Sequence, residues 1–143
     1  MRNRSRNVVI FDPKLSISHT FNSGIVLRAF VALSNLVDTP QPQIQRSIRD
    51  AGVVNRFVSF LKSQTPMLYT EGCKGIRRMS VRAETREEIH MAGGVAALVA
   101  GCTREDAEGR VNCLGALENF AVEGALCGEE ILFGALFMLS QNR

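Results

Sequence analysis

The segment Ala51-Gly52-Val53-Val54-Asn55-Arg56-Phe57-Val58-Ser59-Phe60-Leu61 returns at an offset of 41 as Ala92-Gly93-Gly94-Val95-Ala96-Ala97-Leu98-Val99-Ala100-Gly101-Cys102. A second stretch keeps the same phase, Gly75-Ile76-Arg77-Arg78-Met79-Ser80 mapping onto Ala116-Leu117-Glu118-Asn119-Phe120-Ala121. A unit this short cannot bury its apolar face alone, so it must stack on its neighbours and share a core with them. The phase also extends outward. Ala32-Leu33-Ser34-Asn35-Leu36-Val37 precedes the Gly75 stretch at an offset of 43, the surplus fitting a Pro40-Gln41-Pro42 connector. Glu129-Glu130-Ile131 answers Glu87-Glu88-Ile89 at an offset of 42, and the run from Phe133 to Ser140 answers Ala92 to Val99. The expected organisation is a basic tail with a degenerate start over 1–20, then a repeat domain over 21–143. That domain divides into a partial unit at 22–39, full units at 43–81 and 84–124, and a truncated unit at 128–143. Reading Ala135 to Ser140 as a third-helix signature breaks the phase and is set aside.

Within each unit the apolar spacing is helical: Leu68, Gly72, Ile76 and Met79 in one copy; Ala107, Val111, Leu114, Leu117 and Ala121 in the next. The pattern predicts a short polar helix such as Thr85 to Met91, a glycine turn, a helix carrying Leu98 and Val99, and a longer helix from about Asp106. Gly52 and Gly93 suit the turn, because a left-handed residue ends a helix without a Cβ penalty. Pro66 fits a first helical turn. With 45% apolar and 22% charged residues the composition excludes a wholly disordered chain. Aromatics are only 6% and Trp is absent, which leaves a core of Leu, Val, Ile and Ala and favours helices over a β-sandwich.

Several functional classes find little support. Charges interrupt every apolar run before it could span a bilayer, and Val8 to Phe11 is too short for a signal-peptide core. Cys73, Cys102, Cys113 and Cys127 lack C-x-x-C spacing or a nearby histidine pair, so no metal is expected; buried thiols in a reducing compartment, cytoplasm or nucleus, are the simpler reading. No cofactor motif is present: Gly93-Gly94 precedes no Lys-Ser/Thr. Catalysis would need a nucleophile beside a base, and His90, Ser80, Cys73 and Tyr69 have no sequence-local partners. Glu87 and Glu88 are adjacent and diverge by about 100° on a helix. Nucleic-acid binding rests on Arg2, Arg4 and Arg6 with Arg77, Arg78 and Arg82, among which no aromatic stacks.

The period near 41, the Ala-Gly-(Gly)-Val turn into Leu-Val, and the closing Ala-Leu-x-Asn motif at Asn35 and Asn119 together resemble the armadillo repeat over roughly residues 22 to 140. HEAT repeats share period and architecture, so a HEAT-like α-solenoid is the alternative, but the glycine turn and the Ala-Leu-x-Asn ending favour armadillo. The middle copy departs from the motif with Gly75-Ile76-Arg77-Arg78. The resemblance implies an all-α, right-handed solenoid of three-helix units whose longer helices line a concave groove. It further implies that Asn35 and Asn119 hydrogen-bond the backbone of an extended partner peptide, with Arg78 between them. One and two turns earlier on the same face lie Val31 and Arg28, Lys74 and Glu71, and Gly115 and Asn112. The expected site is therefore Asn35, Arg78, Asn119, Lys74, Asn112 and Arg28, in a non-catalytic protein-interaction scaffold. Import adaptors of this family carry Trp four residues before the groove Asn; here those positions are Val31, Lys74 and Gly115, so an acidic or mixed partner fits better than a basic signal. Two other expectations stand beside this: Asn35 and Asn119 serving only to brace the solenoid, and self-association, or a fragment without function of its own, arising from the apolar run Ile131 to Leu139.

Overall fold

The computed structural model describes residues 23–122 and Gly134; these residues are helical or in turns, with no strand among them. The helices are α1 (Ser23–Leu36), α2 (Pro42–Asp50), α3 (Val53–Leu61), α4 (Pro66–Met79), α5 (Ala83–Met91), α6 (Gly94–Gly101) and α7 (Ala107–Val122). After α1 they form two triplets, α2–α4 and α5–α7, and each helix of the second starts one full period after its counterpart in the first, at the offset read from the sequence. Gly52 and Gly93 make the turn between the first two helices of each triplet with φ of 68° and 74°, the left-handed region where a side chain strains the backbone. Pro42 and Pro66 occupy first turns, where their missing N–H has no intrahelical role. Helix α5 begins two residues before the expected Thr85, because extended Arg82 places the break there. Asp106 stays outside α7 and accepts the Glu108 backbone N–H on its Oδ1 at 3.2 Å. The expectations for residues 1–20, for Cys127 and for the unit at 128–143 fall outside the described residues, Gly134 apart. No described helix is long and apolar enough to cross a membrane.

Packing follows from the pattern. The long helices α1, α4 and α7 lie in a row with α4 central, while α3 backs α4 and α6 backs α7. Phe30, Phe57 and Phe60 meet edge to face with centroids 4.5 to 6.2 Å apart, a geometry that sets ring edges against ring faces. The Phe57 ring lies so close to Gly75 that a Cβ there would sit 2.3 Å from it. Ile76, Leu98, Val95, Cys113 and Ala116 continue the core into the second triplet, all at 1% exposure or less. Each large aliphatic or aromatic side chain buried this way contributes about 1.5–3 kcal/mol.

Two sets of side chains tie one triplet to the next. Gln45 on α2 donates from its amide to the carbonyls of Val37 and Thr39, which close the end of α1. Arg86, its counterpart one period on, donates to the carbonyls of Ser80 and Val81 at the end of α4, at 2.7 and 2.9 Å. Both cover carbonyls that a helix terminus leaves without intrahelical partners. On the far side of α4, the Tyr69 hydroxyl donates to Gly101 O at 3.0 Å, and the Arg104 guanidinium stacks 3.8 Å from the Tyr69 ring centroid. Cys73 and Cys113 approach to 3.5 Å beside it as free thiols. Burial pushes the Tyr69 hydroxyl up, and hydrogen bonding to Cys113 does the same to the Cys73 and Cys102 thiols. Hydrogen bonding to Cys102 and Cys73 pulls the Cys113 thiol down.

Candidate peptide-binding groove

Helices α1, α4 and α7 meet along two seams, and polar side chains cross both. At the first seam Arg78 reaches from α4 to α1, donating to Ser34 Oγ at 2.6 Å and to Asn35 Oδ1 at 2.8 Å. Its Nε also stands 3.6 Å from Asp38 Oδ2. At the second seam Asn119 reaches back from α7, donating from Nδ2 to Ser80 Oγ at 2.9 Å and to Arg77 O at 3.3 Å. Arg77 lies across α7 in the opposite direction, its Nη1 donating to Asn112 Oδ1 at 3.3 Å. A Cβ on Gly115 would come within 2.5 Å of the Arg77 guanidinium, so a larger residue there would push the arginine aside.

A turn or two toward the helix N-termini the charges reverse. The Lys74 ammonium sits between Glu108 Oε1 at 2.9 Å and Glu71 Oε1 at 3.2 Å, two carboxylates to one cation. Hydrogen bonding to Glu108, with Glu71 adding to it, holds the ammonium above its ordinary pKa. Asn112 donates from Nδ2 to Glu108 O at 2.9 Å, the bond an amide makes back along its own helix. Arg28 is exposed on α1 and has no ion-pair partner among the described residues.

Of the six expected site residues, Asn35 and Arg78 thus meet at one seam, and Asn112 and Asn119 flank Arg77 at the other. Lys74 is held in an acidic cluster and Arg28 stands apart. The amide group of Asn35 donates to nothing among the described residues, and the Asn119 carbonyl oxygen accepts nothing there. The sequence reading did not place Ser34, Ser80 or Glu108 in this surface. One signal could have found them: each crossing contact joins residues 34 to 44 positions apart, close to one repeat.

Away from this surface an open cleft of about 560 Å³ lies between α2, α3 and α5, lined by Arg49, Asp50, Val54, Asn55, Glu88, Met91 and Ala92. The Arg49–Glu88 pair spans 3.7 Å across these helices. No group of three or more His, Cys, Asp and Glu side chains suited to a metal is present among the described residues.

No model of a protein family matches the sequence, and no curated protein does. The structure is similar to a designed armadillo repeat protein in complex with the peptide (KR)4, at 20% identity and a TM-score of 0.64, over 71% of this chain and 42% of that one. It is similar to computationally designed armadillo repeat proteins for modular peptide recognition, at 18% identity and a TM-score of 0.61, over 66% of this chain and 40% of that one. An engineered protein matches at 29% identity and a TM-score of 0.65, over 71% of this chain and 41% of that one. The match therefore spans about two fifths of the length of each of these proteins. With its glycine-punctuated triplets of helices, the chain has the fold of the armadillo repeat family, with no particular member singled out.

Proposed function

We propose that the chain is a non-catalytic protein-interaction scaffold that binds an extended peptide segment across α1, α4 and α7. The observation that carries this reading is the complementary pair at the two seams: an amide donor on Asn35 and an amide acceptor on Asn119, each without a partner among the described residues. An extended backbone offers N–H and C=O groups in alternation, and a donor on one flank of α4 with an acceptor on the other can grip both without reading sequence. Designed relatives of this fold recognise peptides, which supports the same use here. The nucleophile candidates have packing roles instead. Ser80 donates to Arg77 O at 2.7 Å and accepts from Asn119, while Tyr69 and Cys73 are buried between α4 and α7.

Fluorescence anisotropy with labelled extended peptides of three charge types, (KR)4, (EK)4 and (SQ)4, tests the reading on the full chain. At least one peptide should bind, and Asn35→Ala combined with Asn119→Ala should weaken it by about 1–3 kcal/mol at unchanged circular dichroism. Binding by none of the three, or unaltered binding by the double variant, would refute the groove.

A further inference from the structure

We infer that Arg77 and the Glu71–Lys74–Glu108 cluster read alternate side chains of the bound segment, so that the groove selects an extended peptide in which acidic and basic residues alternate. This rests on the groove reading above and gives its partner a chemistry. The three cations of α4 differ in what faces them. Asp38 lies against Arg78, and the same guanidinium is held by Ser34 and Asn35. Lys74 is bracketed by two carboxylates. Arg77 alone of the three has no carboxylate beside it among the described residues; its hydrogen-bond partner is the neutral Asn112, and it is exposed. Its guanidinium lies over Gly115 and keeps donors for an incoming carboxylate.

The opposite margin of the same surface is acidic. Glu71 and Glu108 share a single Lys74, and the Glu108 side chain is 59% exposed, so negative charge is left over for a partner. Glu71 and Arg77 are six residues apart on α4, which separates the two margins by about 9 Å along the helix axis. An extended chain crossing the helices between them turns successive side chains to opposite sides, one toward Arg77 and the next toward Glu71 and Glu108. A carboxylate in the first position and an ammonium or guanidinium in the second each meet unlike charge. In a uniformly basic segment, the side chain that faces Arg77 is repelled.

The experiment titrates the full chain and its variants with (EK)4, (KR)4 and (SQ)4 by fluorescence anisotropy, each repeated at raised salt. The expected order places (EK)4 about tenfold or more ahead of both others, with the advantage shrinking as salt screens the charges. Arg77→Glu should abolish that advantage and improve (KR)4. Arg77→Gln, which removes charge without adding any, should give an intermediate loss and serves if the reversal disturbs the seam. Glu108→Gln should weaken (EK)4 through the other margin. If (KR)4 or (SQ)4 matches (EK)4, or Arg77→Gln leaves the (EK)4 advantage intact, the selectivity is refuted while peptide binding stands. If no peptide binds, the groove reading fails and this inference with it.

Discussion

The two full triplets divide the same contact between their helices differently. In the first, the second helix supplies bulk and the third supplies space: Phe60 lies over Gly72, where a Cβ would be 2.7 Å from the Phe60 Cβ, and Phe57 lies over Gly75. In the second, at the equivalent positions one period on, these pairs become Gly101 with Cys113 and Leu98 with Ala116. The third helix now brings the larger group at one pair, and a Cβ on Gly101 would be 2.6 Å from Cys113 Sγ. The Tyr69 hydroxyl from the preceding unit enters the same place and bonds Gly101 O. Both units keep helix positions and left-handed glycines, while at one of the two pairs they exchange which helix fills the gap. A stacked repeat therefore constrains the summed volume at each contact and leaves its division between helices open.

The largest effect that would break this comparison is at its aromatic side. Phe57 is fully buried and touches Phe30 and Phe60, so Phe57→Ala should cost about 3–5 kcal/mol. Leu98→Ala, at the equivalent position, removes fewer carbons and should cost about 2–3 kcal/mol, low in the range for buried leucines. Urea denaturation with unchanged slope measures both. Equal costs at the two positions would mean that the aromatic cluster adds nothing beyond ordinary burial.

A smaller effect sharpens the exchange itself. Gly75→Ala forces a methyl into the Phe57 ring and should cost about 1–3 kcal/mol. Phe57→Leu with Gly75→Ala recreates the Leu98–Ala116 pair, and the double variant should be more stable than the sum of the single effects by about 0.5–3 kcal/mol. Simple additivity would show that the two positions do not share one space.

The periodic features of this fold were legible in the sequence because they depend on residues acting locally. Gly52 and Gly93 mark left-handed turns, Pro66 starts a helix, and Leu68 to Met79 repeats at helical spacing. What lay hidden was direction across a seam. Arg77 and Arg78 are adjacent, diverge by about 100°, and serve different neighbours, one turned to α7 and the other to α1. The Asn35–Asn119 register picks out the helices of the candidate site, yet the partners of those side chains come from the adjacent unit, the following one for Asn35 and the preceding one for Asn119. Likewise Cys73 and Cys113 carry no motif, but their separation of 40 residues is nearly one repeat, and stacking alone brings them together. In a solenoid, a separation close to the period is itself the contact signal, and pairs read that way would have exposed most of the seam.

The smallest effect concerns the bond from each first helix to the unit before it. Gln45 and Arg86 occupy equivalent positions, and each donates to two carbonyls just beyond the preceding third helix, although one is a neutral amide and the other a cation. If what matters is closing those carbonyls, Arg86→Gln should cost less than about 1 kcal/mol, because an amide supplies the same kind of donor. Arg86→Ala, which leaves two carbonyls without a partner, should cost about 1.5–3 kcal/mol. Thermal and urea unfolding of the two variants decide the matter. Equal losses would show that the guanidinium's charge or reach is required and that the two caps are alike only in position, whereas a clear gap between them would extend the lesson of the core to the polar joints: the site is fixed, and more than one side chain fills it.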